Sequence, residues 1–159
     1  MTRSDNAIPQ GAGVVRRFTS VRGWLGGFPL SIIQLAMRIG VGLAFFNSGL
    51  LKYNSFDYAT QLYEQAYKLP FVAPAVAARI AMIDELTCST LIMLGLATRL
   101  ATLPLLGLSL VLVIAFPSDW PDHVLWGTVL LFLLTRGPGS FSIDYFIERR
   151  FRTGADRRR

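Results

Sequence analysis

The sequence predicts an all-α integral membrane protein, a four-helix bundle whose N and C termini are both cytoplasmic. Of its 159 residues, 52% are hydrophobic and only 16% are charged, whereas a soluble domain carries about a quarter charged residues. The apolar segments approach the roughly 20 residues that a membrane-spanning helix needs. The excess of basic residues also lies at the two ends of the chain. Length, hydropathy and charge therefore favour one multi-pass membrane domain.

The formal net charge of +6 is unevenly distributed. Residues 1–30 carry four arginines against one aspartate, and residues 136–159 carry seven arginines against three acids, while the middle of the chain is close to neutral. Basic residues that flank apolar segments are typical of the cytoplasmic side of a membrane and of contact with anionic lipid. This pattern predicts that the basic ends lie on the cytoplasmic side of a membrane and contact its lipid, with no nucleic acid as partner.

Turn signals divide the apolar part into four predicted spans. We expect a polar basic N-terminal tail over 1–28, a four-span domain over 29–146 and a basic C-terminal tail over 147–159. The spans are predicted at about 31–51, 75–97, 100–116 and 122–136. An even number of crossings places both arginine-rich ends on one side, in agreement with the charge rule.

Residues 53–74 alternate aromatic and polar side chains and predict a short amphipathic helix on the outer surface. One interpretation is an aromatic belt that anchors the loop in the membrane interface. The other is a cap over a site between the helices. The pattern favours the belt and leaves the cap open.

Charged and polar side chains within spans are functional candidates, because each charge costs roughly 2.5–3.5 kcal/mol at the centre of a helix. The candidate intramembrane polar site comprises Arg38, Asn47, Ser48, Lys52, Glu85, Arg99 and His123. Three glycines, Gly42, Gly49 and Gly95, are the expected points of close helix packing.

Helical spacing places Arg38 and Lys52 on one stripe of the first span and Glu85 on a stripe of the second. We expect an ion pair between Arg38 and Glu85 or Asp84, with Glu85 pointing inward and Asp84 pointing toward Arg79 or the outer interface. The alternative is a pocket for an anionic or quinone-like headgroup, with one of the acids handling protons.

Other chemistry is weakly supported. A single cysteine, Cys88, cannot form an internal disulfide, and a single histidine, His123, cannot supply both axial ligands of a haem. We predict no metal site, since zinc would need several His, Cys or carboxylate ligands. No nucleophile–base pair or cofactor motif is visible, so a stand-alone enzyme is the least favoured class.

Several motifs, in this order, resemble the DoxX family of small bacterial membrane proteins. They are Arg38–Gly42, Phe46–Lys52, Glu85, Leu94–Arg99 and Gly137–Asp144, and together they cover about 31–146. The resemblance implies a four-helix inner-membrane protein. Some members of that family are membrane subunits of quinone-linked oxidoreductases, and many have no assigned reaction. The acid pair Asp84–Glu85 and the arginine-rich tail depart from the family pattern.

Two functions follow as hypotheses. The first is a membrane subunit or anchor of a redox complex, with a soluble or membrane oxidoreductase as partner and a quinone as the one cofactor the resemblance allows. The second is a small transporter or permease, which would have to form a homo-oligomer because four spans are few for a transport path.

Overall fold

The computed structural model describes residues 27, 29–67, 72–115 and 120–156. The chain divides into a compact unit over 31–159 and an N-terminal unit over 1–30, of which only Gly27, Pro29 and Leu30 are described. The predicted N-terminal tail, 1–28, therefore lies almost wholly outside the described residues, as do the last three residues of the C-terminal tail.

The described residues form α-helices and no strands, as the all-α prediction requires. The helices are α1 (Leu30–Asn54), α2 (Phe56–Leu62), α3 (Pro74–Leu94), α4 (Thr98–Ala115), α5 (Trp120–Arg136) and α6 (Ile143–Asp156), and a π-helical turn (Tyr63–Tyr67) continues α2. Helices α1, α3, α4 and α5 occupy the four segments predicted as spans.

Among the described helices, α1 has the length and the apolar composition needed to cross a bilayer. Thr98–Ile114 within α4 forms a shorter apolar helix. Helix α3 has 21 residues but carries Arg79, Asp84 and Glu85, and α5 has 17 residues. Charge in α3 and shortness in α4 and α5 explain why α1 alone has the hydropathy of an isolated span.

One apolar core receives side chains from four helices. It contains Val41 and Phe45 of α1, Ile92 of α3, Ala101 and Leu105 of α4, and Leu130 and Leu133 of α5. Helix α4 packs against both α3 and α5. Leucine and isoleucine side chains are also exposed along these helices, for example Leu100 and Ile114 of α4. Apolar side chains on the outer face are what lipid as solvent permits.

The aromatic segment after α1 folds back onto α3. Its residues Ala59 and Tyr63 are buried against Ala77, Ala78 and Ala81, and Phe56 packs at the edge of this cluster. Alanines on α3 allow the close approach of the α2 backbone. The predicted amphipathic segment is therefore present, and part of it forms a wall against α3.

Most of the C-terminal basic segment is helical. Residues Ile143–Asp156 form the helix α6, with Ile143, Phe146 and Ile147 exposed on one side. Spacings of three and four residues place these three side chains on one helical face. These apolar residues recur at helical spacing among charged residues, a periodicity that the high charge of the segment conceals.

We predict that Gly49→Val lowers the free energy of unfolding by about 1–3 kcal/mol through overpacking. A Cβ atom at Gly49 would lie 3.0 Å from the Cβ of Glu85 and 3.0 Å from the Cγ of Leu86 on α3. Gly40→Val is the matched control on the same helix, because a Cβ there has no neighbour within 4 Å. The measurement is reversible unfolding of the purified protein in mixed detergent, and equal losses for the two variants would contradict the prediction.

Candidate functional site

The guanidinium of Arg38 is bound by backbone carbonyls. Its Nε donates to the carbonyl of Ile92 at 3.0 Å, and its Nη2 donates to that of Met93 at 2.9 Å. Its Nη1 donates to the carbonyls of Pro138 and Phe141, each at 2.9 Å. Arg38 is only 2% exposed. The side chain therefore joins α1 to the end of α3 and to the loop 137–142.

The end of α3 explains why Arg38 finds acceptors there. The last carbonyls of an α-helix have no partner within the helix, and the negative end of the helix dipole favours a cation. Gly95 ends the helix in the left-handed conformation, at φ 70°, and its N–H donates to Ile92. A Cβ on Gly95 would lie 2.8 Å from the Cζ of Arg38 and 2.6 Å from the Cβ of Ser142. Only glycine fits both the conformation and the space.

Asp144 ties the beginning of α6 to the turn between α3 and α4. Its carboxylate accepts hydrogen bonds from the backbone N–H groups of Ala97, at 2.7 Å, and Thr98, at 3.0 Å. Its own N–H donates to the carbonyl of Gly95 at 2.9 Å. A carboxylate at the first N–H groups of a helix satisfies donors that have no partner within that helix. We call this set the Arg38 junction: Arg38, the turn 95–97, the loop 137–142 and Asp144.

A second polar cluster lies further along α1. The Lys52 Nζ contacts the two carboxylate oxygens of Glu85 at 2.7 and 2.9 Å. It also donates to the Ser48 Oγ at 2.8 Å, and the Ser48 hydroxyl donates to Glu85 at 3.2 Å. Glu85 is 1% exposed. Both charges are therefore paired and hydrogen-bonded, which is the condition under which buried charges are tolerated.

The expected ion pair between Arg38 and an acid of α3 is wrong. Arg38 binds carbonyls, and Glu85 binds Lys52 instead. The error has a physical cause: the sequence shows charges but not the unpaired carbonyls at the end of a helix, which are equally good acceptors for an arginine. Glu85 does point inward as expected, since it is buried between α1 and α3.

Of the other three predicted site residues, Arg99 borders the Arg38 junction, and the remaining two join neither cluster. Asn47 is exposed on α1, and Arg99 is exposed at the beginning of α4 with its guanidinium near Gly137. His123 is half-buried near the beginning of α5, and its buried Nδ1 atom has no hydrogen-bond partner among the described residues. The seven candidates therefore divide into Arg38 with Arg99 at one end, Ser48 with Lys52 and Glu85 at another depth, and Asn47 and His123 at separate positions.

Two of the proposed packing glycines lie directly against α3. Gly42 faces the side chain of Met93 and the carbonyl of Ser89, and Gly49 faces Glu85 and Leu86. The third, Gly95, lies beneath the guanidinium of Arg38. Gln34 was not singled out from the sequence, yet its buried side chain donates to the carbonyl of Gly137 at 3.2 Å. Its position one turn before Arg38 on the same helical face was the available signal.

Asp84 was expected to point toward Arg79 or the outer interface, and the structure shows Arg79 in contact with another side chain. The guanidinium of Arg79 lies over the ring of Phe56, 5.1 Å from its centroid. Asp84 lines a cavity of about 430 Å³ beside α3 and α4. Within the part of the chain that the structure describes, no group of three His, Cys, Asp or Glu residues could hold a metal ion.

The helices of this protein have apolar outer faces, and their buried charges are paired or hydrogen-bonded. This combination is typical of α-helical membrane proteins. The DoxX family model matches residues 33–118. An uncharacterized membrane protein of Mycobacterium tuberculosis is 30% identical over 142 residues, covering 77% of this chain and 84% of that relative. The chain belongs to the DoxX family. No solved structure matches it.

We predict that Lys52→Met and Glu85→Gln each lower the free energy of unfolding by about 3–5 kcal/mol, because each leaves one buried charge without its partner. The double variant should lose clearly less than the sum of the two single losses. The measurement is detergent unfolding of all four proteins in one double-mutant cycle.

The control cycle combines Arg38→Met with Glu85→Gln. Because these two side chains bind different partners, their losses should add. Strict additivity for Lys52 with Glu85, or strong coupling for Arg38 with Glu85, would contradict the observed pairing.

Proposed function

We propose that this DoxX-family chain is a four-span subunit of the bacterial inner membrane that anchors a soluble oxidoreductase at its cytoplasmic side. Both termini would be cytoplasmic, and α1, α3, α4 and α5 would be the spans. The chain would act by assembly and not as a stand-alone enzyme. The redox character of the partner rests on the family resemblance.

The proposed topology is supported by the arrangement of the helices and the charges. The Arg38 junction brings the beginning of α1, the turn between α3 and α4, and the beginning of α6 to one end of the helices. The arginine-rich segment 136–159 leaves from this end. Basic residues favour the cytoplasmic side, and this end is therefore assigned to the cytoplasm.

The observation that carries the anchoring role is α6. Its apolar residues Ile143, Phe146 and Ile147 are exposed, and Arg149 and Arg150 follow them on the same short helix. The hydrogen bonds of Asp144 fix the first turn of α6 to the turn between α3 and α4. An exposed amphipathic helix on a rigid base can dock a partner through its apolar face, while its arginines meet acidic groups.

The interior supports a structural role for its charges. All four of the Arg38 hydrogen bonds go to backbone carbonyls, and Lys52, Ser48 and Glu85 bind one another. These residues therefore do not fit a quinone headgroup, which would need a free donor among them. Because the donors of these side chains are all occupied, the arrangement also favours the anchoring subunit over a transporter whose path would run along these residues. We propose no quinone step at this site.

The four-span topology predicts where reporter fusions are active. Alkaline phosphatase, which folds only outside the cytoplasm, should be active when fused after residue 118 and inactive when fused after residue 97 or residue 159. Green fluorescent protein at the same points should give the opposite pattern. An active phosphatase at the C terminus would overturn the proposed topology.

The anchoring role predicts that α6 determines partner recovery. Phe146→Ser should reduce co-purification of a soluble oxidoreductase at least about threefold after mild cross-linking, since removing a buried interface aromatic costs more than about 1 kcal/mol. Tyr58→Ser is the matched control, because both aromatic side chains are 62% exposed and Tyr58 lies on α2. The partner is identified by mass spectrometry.

Two outcomes would contradict the anchoring role. One is recovery of no oxidoreductase with the unaltered chain from its native membrane. The other is equal loss of the partner in the Phe146 and Tyr58 variants, since this would show that α6 has no special part in docking.

A further inference from the structure

The cavity beside Asp84 is separate from both polar clusters. It is lined by α3 and α4, with Tyr63 of the π-helical turn and Val72 completing its wall. Its volume of about 430 Å³ lies within the range of small-molecule sites, roughly 300–1,000 Å³. Apart from Asp84 and the hydroxyl of Tyr63, the lining side chains are apolar, among them Leu108 and Pro104.

The cavity opens toward the outer face of the helices. Its lining residues Ile80 and Val111 are 61% and 38% exposed, respectively, and exposed apolar positions on the spans contact lipid. An occupant would therefore enter from the membrane and would need a largely apolar body. Asp84 is the eleventh of the 21 residues of α3, so its carboxyl group lies near the middle of that span.

Nearby cations in the described spans are already bound elsewhere. The ammonium of Lys52 contacts Glu85, and the guanidinium of Arg79 lies over Phe56. Arg38 lies two to three helical turns from Asp84 along α3, at Ile92 and Met93. The thiol of Cys88, one helical turn further along α3, is only a weak donor. A carboxyl group near the centre of a membrane span that has no cationic partner among the described residues is costly and points to a ligand or a proton.

We propose that this cavity binds a lipophilic cation, an apolar molecule with one positively charged group that approaches Asp84. The apolar lining would accept the body of the molecule, and the carboxylate would supply the opposite charge where the dielectric constant is low. The site is independent of the docking role of α6, since the two share no residue.

The test uses the full-length protein in lipid nanodiscs and the lipophilic cation tetraphenylphosphonium as the probe, with empty nanodiscs as background. The unaltered protein should show saturable binding. Asp84→Asn should weaken it roughly tenfold or more, because one close ion pair in a low-dielectric site is lost. Asp122→Asn is the matched control: this acid is exposed on α5 outside the cavity, and its loss should leave the affinity unchanged.

Two further measurements keep the test decisive if Asp84→Asn folds poorly. Val111→Trp, at a lining position exposed to lipid, should fill the cavity and abolish binding while Asp84 is retained. In the unaltered protein, neutral tetraphenylmethane should compete far less well than the cation.

Binding no greater than that of empty nanodiscs would overturn the proposal, as would equal affinity of the Asp84→Asn protein. Equal competition by tetraphenylmethane would show an apolar lipid-phase occupant and a carboxyl group neutralised by a proton, and would overturn it too.

Discussion

The structure depends on one buried arginine at the end of a helix. Arg38 donates to four backbone carbonyls that belong to two segments, the end of α3 and the loop 137–142. Arg38 is buried, so its guanidinium takes the place of water as the donor to these carbonyls. This requirement fixes the glycine at 95, where any side chain would meet Arg38. The hydrogen bonds of Arg38 also hold the loop from which α6 begins.

The second polar cluster also satisfies its buried charges, but it does so through an ion pair. Lys52 and Glu85 neutralise each other and share the hydroxyl of Ser48. Removing both members of such a pair can cost little, whereas removing one is expensive. The pair thus fixes how α1 and α3 fit together. The charged residues of the two clusters therefore hold the helices together. The groups that we propose to contact other molecules lie outside these clusters, on α6 and at Asp84.

The sequence could predict much of this architecture because membrane helices follow local rules. Apolar length and turn residues placed four helices within a few residues of their observed ends, and Arg38, Gly42 and Gly49, which the sequence singled out on α1, are buried. Helix α6 was missed because its apolar face is short and interrupted by charge. The partners of Arg38 were missed because backbone acceptors leave no mark in a residue pattern.

The sequence by itself determined that lipid surrounds this protein, that its fold is all-α and that it belongs to its family. It also determined which buried polar side chains need a partner. These follow from hydropathy and spacing, which are properties of single segments. Only the tertiary structure decided the pairing: Glu85 with Lys52, Arg38 with carbonyls, and Asp84 beside an apolar cavity. Pairing depends on the rotation and depth of one helix against another, and packing between segments sets these, as at the contact of Gly49 with Leu86.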